Sequence, residues 1–223
     1  MRAALPSGED PHGGQPPAIA GEPLDRARAA MLLVHGRGAG PRDILSLTAE
    51  LDPAGFAYLA PRASGSSWYP ESFLAPPAAN EPWLSSALRV LGRALSRIED
   101  AGVPVSRTIL LGFSQGACLA LEFAARNARR YGGVVGLSGG LIGPPGAPRE
   151  YAGSFARTPV FLGCSDRDPH IPAPRVRETA DVLRAMDAEV TDRLYPAMSH
   201  TVNADELRHV SAMMERLLSE PPP

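Results

Sequence analysis

The chain has 223 residues, 44% hydrophobic and 21% charged, enough for one buried core in a single domain. A net charge of −2 offers no electrostatic footprint for nucleic acid or an anionic membrane surface. All 22 basic residues are Arg, so a lysine Schiff base, lysine-bound pyridoxal phosphate and a Walker-type phosphate loop are all excluded.

Residues 1–22 are rich in Pro and Gly and poor in apolar residues, which predicts a loosely attached N-terminal arm ahead of one domain over 23–220. This start has no apolar signal core, and no run reaches membrane-spanning length. A cytoplasmic protein without stable membrane insertion is expected. The first strong strand is Met31-Leu32-Leu33-Val34, an apolar run that fits a central parallel strand buried on both faces. It enters the glycine-rich turn His35-Gly36-Arg37-Gly38, and Pro41 then opens a helix to about Leu51. Phe56 to Ala60 reads as the next strand.

A long Pro-, Ser- and Gly-containing loop follows, from Pro61 to about Pro82, carrying Trp68, Tyr69, Phe73 and Leu74. Loops of that length are uncommon in compact domains unless they are functional. Helical spacing of Leu84, Leu88, Leu91, Leu95 and Ile98 predicts a helix over about Glu81–Ala101. Strands are then expected at 109–111, 133–137, 159–163 and 190–195, and helices after Ser114, over 175–186 and over 205–218. Alternating strands and helices with right-handed crossovers make an α/β fold, a mostly parallel, doubly wound sheet with helices on both faces. Chemistry is expected in loops at the carboxyl ends of its strands.

The organising stretch is Thr108 to Arg126. An apolar strand, the turn Gly112-Phe113-Ser114-Gln115-Gly116 and an Ala/Leu-rich helix form, in that order, a nucleophile elbow of G-x-S-x-G type. Serine is a weak nucleophile until a base takes its proton, and the base needs a third group to fix its tautomer. Downstream, the strand ending at Gly163 leads into Ser165-Asp166-Arg167-Asp168-Pro169-His170, and the last strand leads into Pro196-Ala197-Met198-Ser199-His200. Order and placement agree with a triad of Ser114, Asp168 and His200. Spacing alone leaves Asp166 open as the acid. His170 shares the acid loop, His209 lies within the closing helix, and His35 is better suited to shaping its loop.

Two backbone N–H groups must face the developing negative charge. Gln115, directly after the nucleophile, supplies one, and Arg37 in the His-Gly turn supplies the other. A phosphate cradle is the alternative for that turn, but its G-x-G-x-x-G is incomplete and no ribose-binding acid is apparent. The two cysteines, Cys118 and Cys164, have no framework or metal spacing and read as small buried hydrophobes. The five histidines form no H-x-x-x-H pattern, so neither metal nor cofactor is expected.

The stretches LLVHGRGAG at 32–40, SWYP at 67–70, ILLGFSQGACLALEFA at 109–124, GCSDRDPHIP at 163–172 and YPAMSHTVNADEL at 195–207 occur in this order. Together they resemble the phospholipase/carboxylesterase family of small α/β-hydrolases, which includes the acyl-protein thioesterases. The resemblance implies an α/β-hydrolase fold, Asp168 as the acid because it directly precedes proline, and an oxyanion hole at Arg37 and Gln115. The thioesterase branch looks like H-G-L-G-D in the first loop. This chain reads His35-Gly36-Arg37-Gly38-Ala39, nearer the bacterial carboxylesterase branch.

The interval 138–158 is short and rich in Gly and Pro, so no large cap domain is expected over the site. Trp68, Tyr69 and Phe73, with Met198 from the His200 loop, are expected to line an open apolar pocket without a charged specificity group. That combination points to a serine carboxylesterase for short- to medium-chain esters, with an acyl thioesterase or lysophospholipase as the alternative on the same residues. A non-catalytic binding protein on a hydrolase fold is the reading from a different class. The expected partner is a small-molecule ester, and a homodimer is a further option.

Overall fold

A computed structural model describes residues 10–51 and 54–219. Seven strands form one sheet in the order β1-β3-β2-β4-β5-β6-β7: β1 Ala18–Gly21, β2 Ala29–Val34, β3 Phe56–Ala60, β4 Thr108–Phe113, β5 Gly133–Leu137, β6 Pro159–Ser165 and β7 Glu189–Tyr195. Every neighbouring pair is parallel except β1–β3. The five α-helices of the described residues are α1 Pro41–Leu45, α2 Trp83–Asp100, α3 Gln115–Arg126, α4 Ala173–Ala185 and α5 Ala204–Ser219.

The five central strands, β3, β2, β4, β5 and β6, are buried on both faces, and their two-residue period divides the core. Ala30, Leu32 and Val34 of β2 pack with α2, α3 and α4 on one side. Ala29, Met31 and Leu33 pack with α1 and α5 on the other. This explains the unbroken apolar run at 29–34: alternate residues serve opposite cores. α2 carries the inward row Leu84, Leu91, Leu95 and Ile98, all at most 1% exposed, on the face opposite Arg89, Arg93 and Arg97. It begins at Trp83, two residues later than its periodicity predicts, because Glu81 lies outside the helix and accepts the Ser85 N–H.

The N-terminal expectation needs correction. Residues 10–22 are not a loose arm, whereas residues 1–9 lie outside the described set. Ala18–Gly21 adds to the sheet edge antiparallel to β3, and His12 is 1% exposed. Local composition could not indicate this, since a four-residue strand among Pro and Gly has little propensity of its own. The open edge of β3 offers unpaired backbone groups, and pairing with them is what orders the segment. The interval 138–158 contains no helix, so no cap covers the carboxyl ends of the strands. Among the described residues no helix is long and apolar enough to cross a membrane.

Candidate active site

The turn between β4 and α3 is where the sheet presents Ser114. Its backbone sits at φ 55° and ψ −121°, a left-handed, strained conformation for a residue with a side chain. The flanking glycines allow it. A Cβ on Gly112 would stand 2.3 Å from the Gly116 carbonyl oxygen, and one on Gly116 would stand 2.1 Å from the Val34 carbonyl oxygen. Only bare backbone fits between elbow, helix and β2.

β6 and β7 end beside this turn and deliver the other two groups. The Ser114 hydroxyl lies 2.9 Å from His200 Nε2, and His200 Nδ1 lies 2.6 Å from Asp168 Oδ2. Ionised Asp168 can only accept, so Nδ1 carries the imidazole proton and Nε2 is left to accept from Ser114. The Asp168 side chain is fully buried, and its other oxygen accepts the His170 and Ile171 N–H groups at 2.8 and 3.0 Å. Burial would raise its pKa, but the His200 bond and the two backbone donors outweigh that and hold the carboxyl below its ordinary value. Asp166 braces the site instead, since its Oδ1 accepts the Ala197 N–H at 2.8 Å and so ties the acid loop to the His200 loop. The Phe113 and His170 rings pack against the His200 ring, with centroids 5.0 and 4.9 Å away.

Glu206 anchors the His200 loop from below. Asn203 and Glu206 cap α5 reciprocally: Asn203 Oδ1 accepts the Asp205 and Glu206 N–H groups, and Glu206 Oε2 accepts the Asn203 N–H at 2.8 Å. Glu206 is fully buried over Gly163 of β6, where any Cβ would meet its Oε1, an oxygen with no hydrogen-bond partner. Burial pushes this carboxyl from the ordinary 4.5 up to about 7. The folded state therefore keeps the proton to higher pH than the unfolded chain, so stability is full below pH 4.5 and falls as pH rises toward 7. The loss is about 3 kcal/mol. Glu206→Gln is expected to abolish this slope and to melt several degrees above the parent at pH 8; equal slopes by thermal denaturation would refute the assignment.

The glycine-rich turn after β2 runs close beside Ser114, since a Cβ on Gly36 would lie 3.4 Å from Ser114 Cβ. His35 shapes it as expected. Its Nε2 accepts the Ala63 N–H at 3.1 Å, so Nδ1 carries the proton and donates to the Gly36 carbonyl at 2.9 Å. Gln115 begins α3, and its N–H is one of the first-turn donors that have no acceptor within the helix. Its side chain has a role that the motif did not reveal. Oε1 accepts the Trp68 N–H at 2.9 Å and Nε2 donates to the Tyr69 carbonyl at 2.8 Å, latching the 67–69 loop to the elbow. The Arg37 guanidinium grips the same loop, donating to the Tyr69, Pro70 and Glu71 carbonyls at 2.8–3.0 Å.

Ser114 and His200 face a cleft of about 470 Å³. Of the four residues expected at the pocket, Tyr69 and Phe73 line this cleft, and Trp68 and Met198 do not. Trp68 is wholly buried behind the wall, where its indole N–H donates to the His35 carbonyl at 2.8 Å. Burying that ring was predictable from its size, but the side of the loop it takes is set by the hydrogen bond. Met198 turns toward α5 instead, with its sulfur 2.9 Å from Asn203 Nδ2. The expectation of no charged group at the cleft also fails, because Arg37, Glu71 and His170 line it. Cys118 forms part of the floor, and burial pushes its thiol up to about 12, so it stays a neutral apolar filler. Cys164 is likewise buried, and His209 stacks on Phe161 at 4.4 Å, distant from this chemistry.

Comparison with known proteins places the fold. The family model described as Phospholipase/Carboxylesterase matches residues 17–218. The crystal structure of a phospholipase/carboxylesterase from Dyadobacter fermentans is similar at 42% identity, with a TM-score of 0.86 over 92% of this chain and 97% of that one. The Bacillus cereus carboxylesterase, at 18% identity and a TM-score of 0.69 over 92% and 95% of the two chains, shares the fold. Among curated proteins, acyl-protein thioesterase 1 of Gibberella zeae is 30% identical over 128 residues, 53% of this chain and 52% of that protein. The enzyme of the same name from Saccharomyces cerevisiae is 29% identical over 60% of each chain. The chain thus spans about half the length of the curated relatives it matches. With a family match over most of its residues and a closely superimposable relative, this chain belongs to the phospholipase/carboxylesterase family of α/β-hydrolases.

Proposed function

We propose that the chain is a serine carboxylesterase acting on short- to medium-chain esters through an acyl-Ser114 intermediate. The observation that carries this is the continuous Ser114–His200–Asp168 hydrogen-bond chain at the floor of an uncapped cleft. In the first half-reaction Ser114 Oγ bonds to the ester carbonyl carbon while its proton passes to His200 Nε2. The carbonyl oxygen gains the negative charge and is met by the Arg37 and Gln115 N–H groups. Collapse breaks the carbon–oxygen bond to the alcohol, which leaves with the proton from His200. Water then gives a proton to His200, attacks the acyl-enzyme and releases the acid as Ser114 recovers its proton. Asp168 stays ionised throughout and supports the imidazolium. These steps are complete without a metal or cofactor.

Tyr69, Phe73, Ile171 and Cys118 offer apolar surface for an acyl chain, and the modest cleft volume supports chains of short to medium length. The curated relatives favour a second reading, acyl-thioester hydrolysis on the same residues. A panel of p-nitrophenyl acetate, butyrate, octanoate and palmitate, run beside the matching acyl thioesters, separates them. Esters up to octanoate are expected to exceed palmitate by about tenfold or more in kcat/KM. A thioester preference, or palmitate as the best substrate, would overturn the ester reading.

A further inference from the structure

The segment ahead of β1 reaches the wall of the cleft. Asp10 forms ion pairs with Arg89 and Arg93 on α2 and accepts a hydrogen bond from Ser86. The Ser86 hydroxyl in turn accepts the His12 N–H at 3.0 Å. So anchored, the His12 ring enters the interior between Trp68 and Trp83, edge-on to both, with centroids 5.5 and 5.2 Å away.

Both ring nitrogens are used on one loop. Ser64 donates its N–H to Nδ1 at 3.0 Å, which leaves the proton on Nε2, and Nε2 donates to the Trp68 carbonyl at 2.9 Å. His35 also packs against the Trp68 ring, at 4.9 Å between centroids, and takes the neighbouring Ala63 N–H. Two neutral imidazoles in opposite tautomers thus hold consecutive amides, and both pack against Trp68. Burial favours neutrality at both, because it disfavours the imidazolium. The loop they hold continues into Tyr69, Glu71 and Phe73, which line the cleft. His35 belongs to the family-matched region, but the match begins at residue 17 and His12 lies ahead of it.

We propose that His12 is a positioning residue for substrate binding, which fixes the 63–73 wall of the cleft by clamping Ser64 N–H and the Trp68 carbonyl from outside the family domain. The inference rests on the esterase reading for its kinetic consequence but not for its structural one. Ser114, Asp168 and His200 are held by β4, β6 and β7, and the Arg37 and Gln115 backbones by the end of β2 and the start of α3, so a loosened wall weakens substrate binding more than the chemical step.

His12→Phe keeps a ring between the two tryptophans and removes both side-chain hydrogen bonds. His12→Gln places an amide N–H within reach of the Trp68 carbonyl. For Ser114-dependent hydrolysis of p-nitrophenyl butyrate, His12→Phe is expected to raise KM about tenfold with kcat within about threefold of the parent, and His12→Gln to recover most of that loss. Hydrogen exchange of the amides of residues 63–73 should quicken about tenfold in His12→Phe while those of 109–118 stay unchanged. A KM within twofold of the parent, or a loss confined to kcat, overturns the proposal even if the melting temperature falls. Should the parent show no Ser114-dependent turnover, the esterase reading fails, and exchange alone decides: unchanged protection at 63–73 refutes the clamp and faster exchange supports it.

Discussion

Ser114→Ala is expected to lower kcat for ester hydrolysis by about 10⁴-fold or more, with the fold intact. In the proposed mechanism the hydroxyl bonds to the substrate, and no neighbouring group can replace it. Cys118 lies one helical turn away with its thiol pushed up to about 12, so it supplies no thiolate at neutral pH. In that mechanism the variant keeps the oxyanion hole and the cleft, which would bind ester without attacking it. Stability should change little, since the Ser114 hydroxyl packs into no core and Ala meets the same positive φ. Steady-state kinetics with a melting curve check both halves. Activity within tenfold of the parent would overturn the serine mechanism.

The second large effect separates the two aspartates. Asp168→Asn should lower kcat by about 10⁴-fold. One face of the new amide can still accept the His170 and Ile171 N–H groups, which turns its NH₂ toward His200 Nδ1. The imidazole must then move its proton to Nε2, facing Ser114 as a donor, where it cannot serve as a base. The variant also loses stability at neutral pH. A carboxyl held below its ordinary 3.8 stabilises the fold above that pH and stops doing so as pH falls through its folded value, a dependence that Asn lacks. Asp166→Asn retains an oxygen for the Ala197 N–H and should cost less than about tenfold. If Asp166→Asn is the crippled variant and Asp168→Asn is not, the triad assignment is wrong.

These two aspartates show where reading the chain stops. Both lie in one loop after one strand, and either could reach a histidine by spacing. Resemblance to the family favoured Asp168, and the structure brings Asp168 to His200 while turning Asp166 to Ala197. Trp68 and Met198 show the same limit, because a loop residue's neighbours in sequence do not say which way its side chain faces. Gln115 was legible as a backbone donor through its position after the serine. Its side-chain latch to Trp68 and Tyr69 joins residues 46 and 47 positions apart, and no local signal encodes that.

By itself the sequence determined what short-range chemistry controls. The central strands follow from continuous apolar runs, α2 from its helical period, and the elbow from two glycines on either side of one serine. The order Ser, Asp, His after the ends of β4, β6 and β7 followed as well, because a parallel sheet gathers those ends on one edge. The tertiary structure alone decided what depends on meeting a distant partner. It recruited Ala18–Gly21 to the open edge of β3, buried Glu206 against the bare backbone of Gly163, and carried His12 to the back of the cleft wall. The two N-terminal segments have weak propensity of their own, and their free energy comes from satisfying backbone or polar groups that another part of the chain leaves unpaired.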